Sequence, residues 1–155
     1  MSQADGLIRN FDDCKDGELS RLRRLAGQPL DADQLGFDLF TGLWWPLRAT
    51  NQRAPRREPS WLAAKLYGAV RVPHVRPDDR GGPSLPAVLG LCEPRDEHAQ
   101  PRFRARFERL LCAALPALEP HLRWALQEVR RAVDGRVPWA AGVRGIDWAG
   151  LVDDL

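Results

Sequence analysis

The spacing of apolar residues near the carboxyl end of this chain predicts two amphipathic helices. Over residues 102–114, apolar side chains recur every three or four positions, which places them on one face of an α-helix. Arg102, Arg106 and Arg109 have the same spacing and form a second stripe beside the apolar one. The apolar stripe of this first helix comprises Phe103, Phe107, Leu110, Leu111 and Ala114.

The second of these helices follows Pro116 and is expected to end near Gly135, because glycine readily takes the left-handed conformation that terminates helices. Arg123, Gln127 and Arg130 lie roughly opposite its apolar face. That apolar face comprises Leu118, Leu122, Ala125, Leu126, Val129 and Val133.

Shorter helical patterns precede these two, and no run of alternating β-branched residues lasts five positions, so no strand is predicted. The predicted fold class is therefore all-α. We expect an N-terminal bundle over residues 1–72, a connector with a short helix over 73–100, and a C-terminal bundle over 101–155. The earlier predicted helices cover residues 5–13, 17–26, 31–45, 60–71 and 84–93.

Two helix boundaries and one loop are predicted in the middle of the chain. Pro46 should kink or end the third helix, because a proline disfavours helical backbone at the preceding Trp45. Ser60 is a possible N-cap of the next helix. Residues 48–59 between them are predicted to form an exposed basic loop. Its arginines are Arg48, Arg53, Arg56 and Arg57.

Charge alone does not identify a nucleic-acid-binding protein here. The 155 residues carry 23 basic and 21 acidic groups, a formal charge of +2, whereas nucleic-acid binders are usually strongly basic. Of the 23 basic residues, 21 are arginines, whose planar guanidinium matches phosphate oxygens, yet a GC-rich genome would produce the same bias. The arginine stripes therefore have two interpretations, ordinary solvated helix faces or a binding surface.

Cysteine usage and the N-terminus favour the cytoplasm. Cys14, Cys92 and Cys112 are an odd number and far apart, which argues against a disulfide framework. Cys112 lies in an apolar run and is expected to be a small core residue. The first residues lack a signal peptide pattern, and no run approaches the roughly 20 apolar residues of a membrane helix.

No pattern in the sequence indicates catalysis. The three histidines are far apart, and neither H-x-x-x-H nor C-x-x-C occurs, so no metal site is expected. No serine lies in a nucleophile elbow and no glycine-rich phosphate loop is present. We therefore expect a protein that is not an enzyme and that has no cofactor.

Four short motifs in a fixed order give the sequence a specific resemblance. In this order they resemble the small subunit of the type I-E CRISPR Cascade complex, the CasB-type family. The resemblance is strongest over about 50 C-terminal residues and weaker over 17–27, and residues 45–100 match only in being helical. The matching segments are Gly17–Arg24 (GELSRLRR), Arg106-Phe107 with Leu110-Leu111, His121-Leu122-Arg123, and Ile146-Asp147-Trp148 with Leu151, Asp154 and Leu155.

This resemblance implies a non-catalytic, all-helical subunit with an N-terminal and a C-terminal bundle, working in the prokaryotic cytoplasm. Two copies would lie head to tail between the large subunit and the crRNA-bearing backbone. Their basic surface would contact crRNA-bound target DNA and hold the displaced strand, which stabilises the R-loop. The implied partners are therefore crRNA, the target and displaced DNA strands, the backbone and large subunits, and a second copy of the chain, with no membrane.

The resemblance also points to individual arginines. Arg23 and Arg24 match the family's L-R-R, Arg106 matches its R-F, and Arg123 matches its H-L-R, although Arg24 and Arg123 are as well explained by packing. Together with the arginine stripes and the basic loop, these positions form the predicted nucleic-acid-binding set. That set is Arg21, Arg23, Arg24, Arg53, Arg56, Arg57, Arg102, Arg106, Arg109, Arg123 and Arg130.

The last motif is expected to be structural, with Asp147 as an N-cap and Trp148 in the core. Two other functions stay open from the sequence. The chain could be a purely structural adaptor whose arginines pair with acids on partner subunits. It could also be an unrelated helical enzyme, for example a nuclease.

Overall fold

The computed structural model describes residues 3–30, 34–78, 80 and 82–155. Within these ranges the chain forms eight α-helices, two short 3-10 helices and no β-strand, which confirms the all-α prediction. The first three residues of the predicted helix 31–45 lie outside the described residues. The helices are α1 (Asp5–Asp12), α2 (Asp16–Arg24), α3 (Gln34–Thr50), α4 (Arg57–Val70), α5 (Leu85–Leu91), α6 (Gln100–Cys112), α7 (Glu119–Val133) and α8 (Trp148–Asp154), with 3-10 turns at Leu115–Ala117 and Pro138–Ala140.

The helices group into two compact units. The first runs up to Arg71 and also includes Trp148–Leu155, so α8 follows the second unit in the chain but belongs to the first. Its central element is α4, which is buried at every position from Pro59 to Gly68 and packs against α1, α2, α3 and α8. Trp148 of α8 is fully buried, as predicted, with its ring 5.2 Å from that of Tyr67 on α4.

A glycine lets α2 approach α4 very closely. A Cβ added at Gly68 would lie 2.7 Å from the backbone oxygen of Leu19 and 2.9 Å from the Cβ of Leu22. Leu22 is fully buried at this crossing. The contact therefore fixes which face of α2 points into the first unit.

The second unit, Val72–Asp147, has α7 as its central helix. Helices α5 and α6 pack against α7, whose core-facing residues are at most 3% exposed. Gly135, with φ of +77°, follows the end of α7 and confirms the predicted stop. The core residues of α7 are Leu122, Ala125, Leu126, Val129 and Ala132.

Two extended segments run side by side within the second unit. The N–H of Val75 donates to the carbonyl of Ile146 at 2.8 Å, and the N–H of Ile146 donates to the carbonyl of Pro73 at 3.1 Å. At Gly145, with φ of +154°, an added Cβ would lie 2.1 Å from that same Pro73 oxygen. These bonds hold the beginning and the end of the second unit together.

Helix α3 does not end at Pro46, since it continues to Thr50, so of the two predicted alternatives the helix end is wrong. Contacts with other elements hold the turn before the proline. The Nε1 of Trp44 donates to the carbonyl of Pro55 at 2.8 Å, and the Nδ2 of Asn10 donates to the carbonyl of Leu43 at 2.9 Å. These contacts outweigh the local preference of the residue before proline.

The predicted N-cap at Ser60 is also wrong. Helix α4 begins at Arg57, so Ser60 lies inside the helix and is completely buried. The connection between α3 and α4 is therefore shorter than the predicted loop 48–59 and covers residues 51–56 only. It is not wholly exposed either, since Ala54 and Pro55 are buried.

The apolar stripe predicted on α6 is too long. The helix ends at Cys112, and the extended backbone of Ala113, with ψ of 134°, redirects the chain into the following 3-10 turn. Leu111 is 61% exposed, and Cys112 and Ala114 are exposed as well, so the prediction of Cys112 as a core residue is wrong. Only Phe103 and Leu110 of the stripe are buried, and Phe107 is half-buried.

Within the described ranges, no helix has both the length and the apolar character needed to cross a lipid bilayer.

Gly68→Ala is expected to destabilise the protein by about 1–3 kcal/mol, because the added methyl group meets backbone atoms of α2 that cannot move aside cheaply. Gly42→Ala on α3 is the matched control, since a Cβ there meets nothing within 4 Å. Removing that exposed helical glycine should stabilise by about 0.5–1 kcal/mol. Urea unfolding of both variants checks this, and equal effects would contradict the proposed close packing.

Stability is expected to fall as the pH rises from about 9 to about 11, partly because of Cys92. This thiol is buried and its Sγ donates to the carbonyl of Val88 at 3.4 Å. Burial, with a smaller contribution from Glu128, raises the pKa of Cys92 from its ordinary value of 9.0 to about 11. In this pH range the unfolded thiol loses its proton before the folded one, which favours unfolding.

The measurement is the free energy of unfolding at several pH values for the wild type and for Cys92→Ala. The variant loses the titrating group, so its stability should depend less on pH above 9. An identical pH dependence in both proteins would show that burial of this thiol does not contribute.

Candidate nucleic-acid interface

All eleven arginines of the predicted binding set lie in described residues. Ten of them are exposed and Arg130 is half-buried. Their positions divide into one group on α2, one in the connection between α3 and α4 and at the start of α4, and one on α6 and α7. The first two groups belong to the first unit and the third to the second unit.

The side chains of the α2 group are exposed, whereas Leu22 between them is buried at the contact with α4. Leu22 faces the core, while Arg21 and Arg24, three residues apart, share an exposed face and Arg23 flanks them. None of these three arginines forms an ion pair with a described carboxylate. All three lie in the last turn of α2, where positive charge also stabilises the helix dipole.

The acidic residues of α2 are engaged elsewhere. Asp16 accepts from the Nη1 of Arg71 at 3.2 Å. Glu18 uses its Oε2 to accept from the backbone N–H of Lys15 at 2.8 Å. The carboxylates nearest in sequence therefore leave the α2 arginines with free guanidinium groups.

The connection between α3 and α4 is a turn that presents two arginines without an ion pair to any described carboxylate. The Nη1 of Arg48 donates to the carbonyls of Gln52 and Ala54, the latter at 2.8 Å, and this bracing closes the turn. Arg53 and Arg56 then line an open cavity of about 710 Å³. The third predicted residue, Arg57, lies in α4 and pairs with Glu58 at 3.1 Å. The other side chains that line this cavity include Gln3, Pro59, Val152 and Asp153.

The third group is built on the exposed face of α6. Arg102, Arg106 and Arg109 form the predicted stripe there, and none of them pairs with a described carboxylate. The guanidinium carbon of Arg106 lies 5.6 Å from the centre of the indole ring of Trp124 on α7. Arg123, the neighbour of Trp124 in sequence, is exposed and likewise forms no ion pair with a described residue.

Three other arginines of the second unit form ion pairs with carboxylates. Arg104 pairs with Glu93, and Arg131 pairs with Glu128 at 3.2 Å. The predicted residue Arg130 pairs with Asp134, four positions later and directly after the end of α7, at 3.0 Å. Arg104, Arg130 and Arg131 are therefore the arginines of α6 and α7 that already have a carboxylate partner.

The contact between Arg106 and Trp124 was not predicted from the sequence. An aromatic residue directly after the H-L-R motif is a signal that could have suggested it. The packing of α6 against α7 determines which arginine Trp124 contacts. The sequence pattern of either helix alone does not show this packing.

In the described part of the chain, no group of three or more His, Cys, Asp or Glu side chains could hold a metal ion.

The chain matches one protein family over most of its length. The model of that family, the CRISPR-associated protein Cse2, matches residues 18–155, which include all eleven predicted arginines and every helix from α3 to α8. No curated protein matches the chain significantly. Because the family match extends over far more than half of the sequence, the chain belongs to the CRISPR-associated Cse2 family, the CasB-type small subunit of type I-E Cascade.

Proposed function

We propose that this chain is a non-catalytic Cascade subunit that holds crRNA-bound target DNA and the displaced strand through arginine contacts to the phosphate backbone. The observation that carries the proposal is a set of nine exposed arginines that form no ion pair with a described carboxylate. Arg57 and Arg130 of the predicted set already have acidic partners and are weaker candidates. The nine are Arg21, Arg23, Arg24, Arg53, Arg56, Arg102, Arg106, Arg109 and Arg123.

Unpaired guanidinium groups suit this task for a physical reason. An R-loop exchanges one duplex for another of similar stability, so modest contacts with the backbone are enough to stabilise it. Contacts to phosphates do not depend on sequence and weaken as salt rises. The formal charge of +2 does not oppose binding, because a phosphate contact depends on the charge close to it, and Asp16, Glu93 and Glu128 are paired with arginines outside the nine.

The same proposal includes the partners that the family resemblance implies. The chain would contact crRNA, the backbone and large subunits of the complex, and a second copy of itself, in the cytoplasm of a prokaryote. The exposed arginines would face nucleic acid, while other surfaces contact protein.

Replacing Arg23, Arg24, Arg106 and Arg109 by Ala should weaken DNA binding by the reconstituted complex equally for all target sequences. Each lost phosphate contact lowers the slope of log affinity against log salt by about 0.7 to 0.9, so four contacts should lower it by about 3. The measurement is target affinity at several salt concentrations.

The matched control uses the paired arginines Arg104 and Arg131 on the same two helices of the second unit. Arg104→Ala with Arg131→Ala removes two positive charges from α6 and α7, but these charges are already held by carboxylates. The salt slope of this control should stay close to that of the wild type. Equal slopes for the control and the double variant of Arg106 and Arg109 would contradict the proposal.

A purely structural adaptor is the second candidate function. Exposed apolar side chains favour it, since Trp45, Leu91 and Leu111 are 55%, 60% and 61% exposed and such residues are typical of protein docking surfaces. Crosslinking within the assembled complex distinguishes the two candidates. A photoreactive residue at position 109 should crosslink to DNA, and protein-only crosslinks would favour the adaptor.

A further inference from the structure

We propose that Trp124 is a positioning residue for nucleic-acid contact, which holds the guanidinium of Arg106 so that its N–H edge can meet a backbone phosphate. This inference rests on the proposed function, because it assigns a role to a neighbour of one of the proposed contact residues. It concerns only α6 and α7 of the second unit.

The indole ring of Trp124 is fixed from the side of the core. Its centre lies 5.3 Å from the ring of Phe103 in an edge-to-face arrangement. Phe103 is 7% exposed and belongs to the core of the second unit, whereas Trp124 is half-buried. Trp124 therefore has one anchored side and one side that is available to a residue at the surface.

Arg106 occupies that available side. Its guanidinium carbon lies 5.6 Å from the centre of the Trp124 ring, within the distance of a cation–π contact, and its side chain is exposed. It has no ion pair with a described carboxylate, unlike Arg104 two residues earlier, which pairs with Glu93. The aromatic contact is thus the interaction that orients Arg106.

The charges around Arg106 make this orientation useful for binding an anion. Arg102 and Arg109 lie four residues before and three residues after it, so all three share one face of α6. Like charges at these spacings repel one another, and an incoming phosphate relieves that repulsion. A stripe of three free arginines with one of them held in place has the character of a preformed anion-binding surface.

The contact with the ring leaves donors of the arginine available. A guanidinium has five N–H donors in one plane, and a cation–π contact does not occupy all of them, so a phosphate can still accept two. A long arginine side chain also loses rotamer freedom when it binds, and a side chain that is already ordered loses less. Trp124 should therefore raise the affinity of the complex for DNA without adding a charge.

A direct contact between Trp124 and a nucleobase is the alternative role for this residue. It is less favoured, since Arg106 lies against one part of the indole and Phe103 against another. The two roles predict different results when Trp124 is changed in a protein that already lacks Arg106.

The test is a double-variant cycle with Trp124→Leu, Arg106→Ala and the combination, each in the complete reconstituted complex. Arg106→Ala should weaken DNA binding and lower the salt slope by about 0.7. Trp124→Leu should weaken binding several-fold with an unchanged slope, because the charge is still present. The combination should bind no more weakly than Arg106→Ala alone, because Trp124 acts through Arg106.

Two variants guard against a trivial loss of folding. Trp124→Phe keeps an aromatic ring beside Phe103 and should retain most of the affinity. The control is the pair of Arg95 and Trp139, which has a similar cation–π distance of 5.5 Å in the same unit but lies outside the predicted binding set. Trp139→Leu should leave DNA affinity unchanged.

If the loss of DNA affinity in the combined variant equals the product of the losses in Trp124→Leu and Arg106→Ala, the two residues act independently. That result would overturn the inference and favour stacking of Trp124 on a base. Wild-type affinity in Trp124→Leu would overturn it as well. If Arg106→Ala itself has no effect while the other arginine variants weaken binding, the positioning role fails and the proposed function stands. If no arginine variant changes the affinity, the proposed function fails.

Discussion

Burial of helix α4 is the constraint on which the first unit depends. Ten consecutive positions, Pro59 to Gly68, are buried, whereas an amphipathic helix buries one face only, so this helix needs neighbours on every side. Helices α1, α2, α3 and α8 supply them. The glycine at position 68 brings α2 so close that Leu22 must point inward, and the arginines on either side of it must point to solvent. The exposed α2 group is therefore a consequence of core packing.

The second constraint is how the carboxylates are distributed. A chain with nearly equal numbers of acidic and basic groups can present basic surfaces if its acids lie on other surfaces or are paired with other bases. Glu93, Glu128 and Asp134 do this in the second unit through their pairs with Arg104, Arg131 and Arg130. The remaining arginines of α6 and α7 stay free, and one of them is oriented by an aromatic ring instead of an acid. The overall charge of the chain does not show which arginines are paired and which are not.

The periodicity of apolar residues predicts features that belong to one helix, such as its position and its ends. It does not predict features that depend on how the helices pack together. Helices α1, α2, α5 and α7 were located correctly, because each has a regular apolar face and clear ends such as Gly135. Continuation of α3 through Pro46 and exposure of Leu111 were missed, since both follow from contacts or chain direction set by other elements. The exposure of the predicted arginines could be read from the stripes. Arg57 and Arg130 pair with Glu58 and Asp134, one and four residues away, so the sequence spacing itself suggests these two pairs. The contacts of Arg104 with Glu93 and of Arg106 with Trp124 could not be read in this way, because each partner lies outside the helix that carries the arginine.

The central claim is that this subunit stabilises the R-loop through contacts with the nucleic-acid backbone. The most direct measurement is the lifetime of the R-loop formed by a reconstituted type I-E complex at physiological salt, with the subunit present, omitted, and added back. We expect a shorter lifetime when the subunit is omitted, recovery when it is added back, and a difference that shrinks as salt is raised. An R-loop lifetime that does not change on omission would contradict it.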